Sequence, residues 1–285
     1  MTSIPRHGGI SEALLLGCVM PDTHASVSPA KAATWTTVRS GRVRVAAVGD
    51  LHMTIDQAGR FGPSFRGVHE RADVLLLAGD LTQNGTPAEA QCVASEVTGL
   101  GLPVIAVLGN HDHLSGAGAT VAAILQNAGV HVLDETGMVL MCGGTRLGVA
   151  GIMGFGGGFA VVPGRRSDER AERFADALAR LDCDVRVAMT HYAPATGTLA
   201  GEPARLYSVL GSSSLGEAID AARPDLAIHG HAHHGCEHGT TPAGVPVRNV
   251  AYPVIRQGLR VYEVGGSSLA GTRQIQTVTG GRTVQ

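Results

Sequence analysis

Asp50, His52, Asp80, Asn110, His191, His231 and His233 are the side chains of this sequence whose types and spacing could do chemistry. Each stands just past a short apolar run: Asp50 and His52 after 43–48, Asp80 after 74–78, Asn110 after 103–108, His191 after 185–189, and His231 and His233 after 226–228. Carboxylate, imidazole and amide donors without cysteine define an oxygen and nitrogen site, which suits Mn, Fe, Zn or similar borderline ions rather than Fe–S or copper–thiolate chemistry. Seven donors are too many for one tetrahedral ion. Two ions about 3.5 to 4 Å apart, bridged by a carboxylate, can hold a hydroxide and polarise both the attacking and the leaving oxygen of a phosphoryl centre. The residues therefore imply hydrolysis of a phosphoester, with His231 and His233, alternating in an extended turn, able to contact two centres from one segment.

The elements that must position these groups are legible as a pattern. The five apolar runs are short, rich in β-branched residues and end in polar clusters, as buried strands do. Helical stretches are predicted over 87–97, 118–128, 167–180 and 214–222, the last opening with Ser214 three residues before Glu217, a capping-box spacing. Strands alternating with helices of this length imply a layered α/β fold with a largely parallel inner sheet. Runs at 147–150, 245–250 and 258–264 are expected to add strands of a second sheet. All the candidate ligands then lie past strand carboxyl ends, the edge at which open α/β sheets bind ligands. Asp50, Asp80 and Asn110 stand thirty positions apart, the length of one strand–helix–strand step. The working domain is predicted over 42–265, between an N-terminal extension at 1–41 and a C-terminal tail at 266–285, both without periodicity and expected to be loose.

The ordered motifs Asp50-Leu51-His52, Gly79-Asp80, Gly109-Asn110-His111-Asp112, His191 and Gly230-His231-Ala232-His233 resemble those of calcineurin-like metallophosphoesterases. Each piece alone is weak, but five in order over about 50–233 are highly specific. The resemblance implies a four-layer fold, a two-sheet β-sandwich flanked by helices. It also implies two divalent or mixed-valence ions (Mn, Fe or Zn), the first on Asp50, His52 and His233, the second on Asn110, His191 and His231, with Asp80 bridging. His111 would be the histidine outside the ligand set that stabilises the phosphoryl group or protonates the leaving oxygen, with Asp112 as the carboxylate that orients it. After Asp80 the chain reads Leu-Thr-Gln-Asn-Gly, without the second Asp and the Arg that protein Ser/Thr phosphatases and dinucleoside tetraphosphate hydrolases show there. A small phosphodiester, a nucleotide or a phosphomonoester remains as the expected substrate. A non-catalytic scaffold of the same fold, acting through protein contacts, is the alternative; it predicts missing ligands, and here every position is filled.

Composition sets the outer bounds. With 285 residues, 44% hydrophobic and 16% charged, the chain can bury a full core as one large domain. Its 40 glycines point to many short, tight connections. A net charge of -2 leaves no basic footprint for long nucleic acid. Five cysteines without a CxxC suggest neither a disulfide framework nor a thiolate zinc site, and a reducing cytoplasm fits them. No run reaches the ~18 apolar residues of a membrane span. The apolar stretch 10–20 is interrupted by Glu12 and preceded by Arg6 alone, a poor export signal, so a cytoplasmic location is expected.

Other residues carry weaker expectations. His229, His234 and His238 read as neighbours of a histidine-rich loop, Tyr192 as packing, Cys236 as an incidental thiol, and His113 as a secondary candidate for substrate contact. The glycine-rich stretch 154–158 reads as a solvent loop, with Arg165 and Arg166 beyond it as the cations a lip over the substrate would use. The loops 53–70, 153–166 and 194–213 are expected to set substrate choice.

Overall fold

A computed structural model describes residues 41–159, 169–265 and 276–277. The N-terminal extension up to residue 40, Arg165, Arg166 and most of the C-terminal tail lie outside the described residues. The strands are β1 (Arg42–Val48), β2 (Val74–Ala78), β3 (Val104–Val107), β4 (Val130–Val132), β5 (Thr136–Cys142) and β6 (Thr145–Ile152). They continue as β7 (Val185–Thr190), β8 (Leu226–His229), β9 (His238–Thr240), β10 (Pro246–Asn249), β11 (Arg260–Gly265) and β12 (Gln276–Thr277). They form two six-stranded sheets, ordered β12-β11-β1-β2-β3-β4 and β5-β6-β7-β8-β10-β9. In the first, β1 to β4 run parallel; in the second, β6, β7, β8 and β10 do.

Alternation of side chains along each strand builds the layers. Val43, Val45, Ala47, Leu76 and Ile105 of the first sheet face Leu147, Val187, Met189 and Ile228 of the second in one core cluster. The opposite face of the first sheet, with Ala46, Leu75, Leu77 and Ala106, packs on Ala90 and Val93 of the helix Pro87–Val97 and on Val121 and Leu125 of the helix Gly118–Asn127. Ala150, Ala188 and Ala227 of the second sheet meet Phe174 and Leu178 of the helix Glu169–Ala179 and Leu215 and Ile219 of the helix Ser213–Ala222. The result is helices, sheet, sheet, helices, the sandwich expected. Strands covered on both faces read as unbroken apolar runs, and Val74 to Ala78 are all 0% exposed. Truncating one of these leucines to Ala costs about 2 to 5 kcal/mol through lost transfer energy and the cavity left behind.

Three expectations are corrected. The run 258–264 joins the first sheet, not the second: as β11 it pairs antiparallel with β1, from Arg42↔Gly265 to Ala47↔Arg260. Ser214 does not cap its helix, because Ser212, extended at φ -148 and ψ 138, is the N-cap and accepts the Ser214 N–H, so Ser214 is already helical. A capping box does occur at the helix Pro87–Val97, where Thr86 and Glu89 bond each other's backbone N–H ahead of Pro87. The third is Asp112, whose carboxylate bonds the loops after β2 and β3 and not His111. Among the described residues Cys92, Cys142, Cys183 and Cys236 are free thiols, and no helix is long and apolar enough to cross a membrane.

Candidate metal centre

Beyond the ends of β1 and β2 the chain continues as two loops joined by main-chain bonds. Asp50 N–H donates to the Gly79 carbonyl at 2.9 Å, His52 N–H to Asp80 at 3.0 Å and Met53 N–H to Leu81 at 3.0 Å. This turn geometry puts Asp50 (φ 57), His52 (φ 46) and Asp80 (φ 49) in the left-handed region, as it does His231 (φ 68) on the opposite side. Such backbone costs of order 1 to 3 kcal/mol per residue and persists only where its surroundings over-determine it. Two glycines make room for the carboxylates: a Cβ on Gly109 would collide with Asp80, and one on Gly230 with Asp50. Those residue types were therefore set by close approach to the two acids.

The second sheet contributes imidazoles. His191, after β7, is fully buried, with Nδ1 at 2.9 Å from the Ala78 carbonyl and Nε2 at 3.1 Å from Asn110 Oδ1 and 3.4 Å from Asp80 Oδ1. Burial opposes its charge, but Asp80 outweighs that and raises His191 to about 9. In return, burial would raise Asp80, and His191 together with the His111 N–H holds it well below the usual carboxylate range. A cation bound at His191 Nε2 would take the place of a proton there, while Nδ1–H keeps its carbonyl. His231 N–H donates to the Asp50 carboxylate, and its Nε2 meets the Val209 carbonyl at 3.3 Å, leaving Nδ1 as the uncommitted nitrogen. Burial, with His191 adding to it, lowers His231 to about 4, so at neutral pH it is the uncharged form a metal requires. His233 Nε2 lies 2.8 Å from Asp50 Oδ1, a contact that raises its pKa.

The donors fall into groups of the right size. Asp50, His52 and His233 each offer an atom within 4.8 Å of the others, and so do Asp80, His191 and His231. His52 Nε2 is 3.4 Å from His233 Nε2, 3.9 Å from Asp50 Oδ1 and 3.8 Å from Asp80 Oδ2, so it sits between the two acids. Atoms bonded tetrahedrally to one ion at ~2.1 Å would be about 3.4 Å apart, so the spacing suits first-row divalent ions. The donor chemistry fits as well, since every group is oxygen or nitrogen and the acids are buried. His52 Nδ1 is buried with no partner, which leaves Nε2 as the nitrogen committed to the cluster. The structure therefore brings Asp50, His52, Asp80, Asn110, His191, His231 and His233 together, and these residues can hold metal ions.

His111 follows Asn110 in a short helical turn, His111–His113. Its Nδ1 lies 2.7 Å from the Gln83 carbonyl, its N–H donates to Asp80 Oδ1, and its ring stands edge-on to His52 with centroids 4.5 Å apart. It offers an atom to a third group with His52 and Asp80. Asp112 does not orient it. The Asp112 side chain turns away into the core, where it is 0% exposed and accepts from the N–H groups of Leu81, Thr82 and Gly109 and from the Thr82 hydroxyl at 2.6 Å. Burial pushes this carboxyl up, against four donors that favour its charged form. Its place is as a tie between the loops after β2 and β3.

Several supporting groups had little or no signal in the sequence. Gln83 acts through its backbone carbonyl, which no side-chain pattern reports. His229 is fully buried at the end of β8, its Nδ1 donating to the Gly230 carbonyl and its Nε2 accepting from Thr198, each at 2.7 Å. Burial takes it down to about 4, which fixes this neutral arrangement. Buried Asn249 donates to the Ala232 carbonyl at 2.7 Å, holding the turn between His231 and His233. Tyr192 packs as expected, its ring 4.3 Å from that of His231. His113 and His238 are exposed, and His234 is absent from every metal-competent group among the described residues. Beside Asp50, His52, His111 and His233 opens a cleft of about 390 Å³, with Arg60, Gln83, Tyr252 and Pro253 along its wall.

Comparison with known proteins follows the same outline. The sequence model of one family, described as calcineurin-like phosphoesterase, matches residues 43–235. A probable cyclic nucleotide phosphodiesterase of Synechococcus sp. is 38% identical over 78 residues, 24% of this chain and 31% of that protein. The match thus spans about a third of the curated relative's length. Among solved structures, a phosphopantetheinyl hydrolase from Mycobacterium tuberculosis aligns over 78% of this chain and 96% of its own with a TM-score of 0.55 at 15% identity. A 5'-nucleotidase assignment from Staphylococcus aureus aligns over 86% of this chain and 56% of its own, with a TM-score of 0.55 at 14% identity. These two likenesses show the fold.

Proposed function

This chain belongs to the calcineurin-like phosphoesterase family, and from that premise we propose that it hydrolyses a phosphoester of a small molecule or nucleotide at a dinuclear metal centre. The observation that carries the reading is the pair of donor groups, Asp50, His52 and His233 beside Asp80, His191 and His231, which His52 and the Asp80 carboxylate bring next to each other. One ion would rest on Asp50, His52 and His233, the other on Asn110, His191 and His231, with Asp80 between them. Ions held there supply Lewis-acid polarisation of phosphoryl oxygens and a nucleophile from water at neutral pH. Mn, Fe and Zn suit the donors.

The protein's own residues do the rest. Asp50 and Asp80 set a negative, buried floor that draws cations, and cations held there would in turn attract the anionic phosphoryl group. His111, with Nδ1–H on the Gln83 carbonyl, presents Nε2 to the cleft, where in its doubly protonated form it would donate to the phosphoryl oxygens or deliver the Nε2 proton to the leaving oxygen. Asp112 holds the backbone that carries Asp80 and His111. The Synechococcus relative's name supports placing phosphodiesters ahead of monoesters. The test is hydrolysis of bis-p-nitrophenyl phosphate and of p-nitrophenyl phosphate by Mn-loaded protein, with metal analysis of wild type and Asp80→Ala. Turnover with about two ions per chain, both lost in the variant, is the expected result. A folded wild type that binds no metal and turns over neither ester would overturn the reading.

A further inference from the structure

Arg60 stands at the end of the loop that follows His52, with its backbone N–H on the Gln57 carbonyl at 3.0 Å. Its guanidinium carbon lies 5.3 Å from the centroid of the Phe61 ring and 5.2 Å from that of Tyr252, and those two rings meet edge to face at 5.3 Å. Phe61 is 2% exposed and so anchors the arrangement in the core. Contacts to ring faces fix the position of a guanidinium without using its N–H groups, and are worth about 0.5 to 1 kcal/mol at an exposed site. Among the described residues no carboxylate lies within ion-pair distance of Arg60, whereas Arg44, Arg146, Arg170 and Arg173 all have one. Arg60 thus presents an uncommitted donor fork on the wall of the cleft that also holds Asp50, His52, His111 and His233.

A fixed fork with free donors is the group that binds an oxyanion bidentately. The scissile phosphoryl group belongs at the metal-competent residues, so the fork is available to a different part of the same molecule. We propose that Arg60 is a specificity-determining residue that receives a second phosphate group of the substrate, which would then be a nucleotide or comparable ester phosphorylated at two places. This rests on the phosphoesterase reading above. Tyr252 is the positioning residue for Arg60, since its ring carries the guanidinium.

Two esters that release the same chromophore separate this role from a structural one: thymidine 5'-(p-nitrophenyl phosphate) and the same compound phosphorylated at the 3' oxygen. Mn-loaded wild type is expected to prefer the 3'-phosphorylated ester through KM. In Arg60→Ala that preference falls about ten-fold, the weight of one bidentate charged contact. Arg60→Lys recovers part of it, lacking the fork. An unchanged preference in Arg60→Ala would overturn the proposal. Calorimetric binding of adenosine 3',5'-bisphosphate against adenosine 5'-monophosphate reads the same contact without turnover: wild type favours the bisphosphate and Arg60→Ala does not, and equal discrimination by both proteins would equally overturn it. If neither ester is hydrolysed, the phosphoesterase reading fails on its own and the calorimetry still decides the role of Arg60.

Discussion

The strand ends of the first sheet bring carboxylates to the centre, and those of the second bring only imidazoles; the two halves are held by different means. Asp50 and Asp80 ride on left-handed backbone in loops joined by main-chain bonds, with Asp112 tying the next loop beneath them. His191, His231 and His233 are instead set through side-chain and ring contacts: to the Ala78 and Val209 carbonyls, to Asp50, and through a turn that Asn249 holds from below. The acid half is thus a property of the chain path, whereas the imidazole half, although His231 shares the left-handed backbone, leans also on side chains, of which Asp50 and Asn249 can be removed one at a time. Damage should be abrupt on one side and graded on the other.

The largest expected effect is at Asp80. Asp80→Asn removes the charge of the carboxylate proposed to lie between the two ions and should lower turnover of bis-p-nitrophenyl phosphate by at least 10² to 10³-fold, roughly the scale of losing one key electrostatic contact, with metal content falling in the same preparation. His111→Ala should cost on the order of 10² to 10⁴ in kcat while metal analysis stays at the wild-type level. Loss of metal there would place His111 among the ligands, as its proximity to His52 and Asp80 allows.

Asp112→Ala leaves three buried N–H groups and the Thr82 hydroxyl without their acceptor. It should lower stability in urea by at least roughly 1 to 3 kcal/mol, the cost of leaving a buried donor unsatisfied, a loss His111→Ala does not share. If Asp112→Ala instead kept full stability and lost only turnover, Asp112 would be acting through His111 after all. On the imidazole side, Asn249→Ala should cost about 1 to 3 kcal/mol and weaken metal binding about 10 to 100-fold, measured by competition with a chelator, without abolishing it.

The smallest effect lies outside both halves, at Glu135, which pairs with Arg170 and Arg173. Burial works against its charge, but the two guanidiniums hold its carboxyl below the usual range. The stabilisation is therefore present above the ordinary carboxylate pKa and is lost as pH falls through the lowered value. Glu135→Gln should reduce Tm by no more than about 3 °C at pH 7, the difference closing in acid, with turnover untouched.

The central strands and the edge strands differ in how far the sequence discloses them. All seven cluster residues and the strands that carry them were legible, because a doubly covered parallel strand is an unbroken apolar run and its polar terminus stands out. Edge strands were not: β5 alternates exposed and half-buried residues, and β9, His238–Thr240, is too short and polar for any period to show. The pairing of β11 with β1 joins residues more than two hundred positions apart, and local pattern carries nothing about which sheet receives a strand. The resemblance pairs Asp112 with His111, its neighbour in sequence, and the structure does not. Adjacency in a helical turn points neighbouring side chains in different directions, and only the fold shows that this one enters the core. Ser212 and not Ser214 is the cap because its backbone is extended, a property of conformation that the spacing of Ser214 and Glu217 does not carry.

The left-handed backbone at Asp50, His52, Asp80 and His231 has a consequence for selection in the laboratory. At such a position glycine is the residue the main chain prefers, and its entropic cost of roughly 0.5 to 1 kcal/mol is about matched by the strain it relieves. A library screened for thermal endurance alone would thus find little to hold His52 in place, where glycine would also delete a buried nitrogen that has no partner. Variants that outlast the parent on heating could emerge with the centre already dismantled, so any stabilisation campaign on this chain needs metal retention as a second gate.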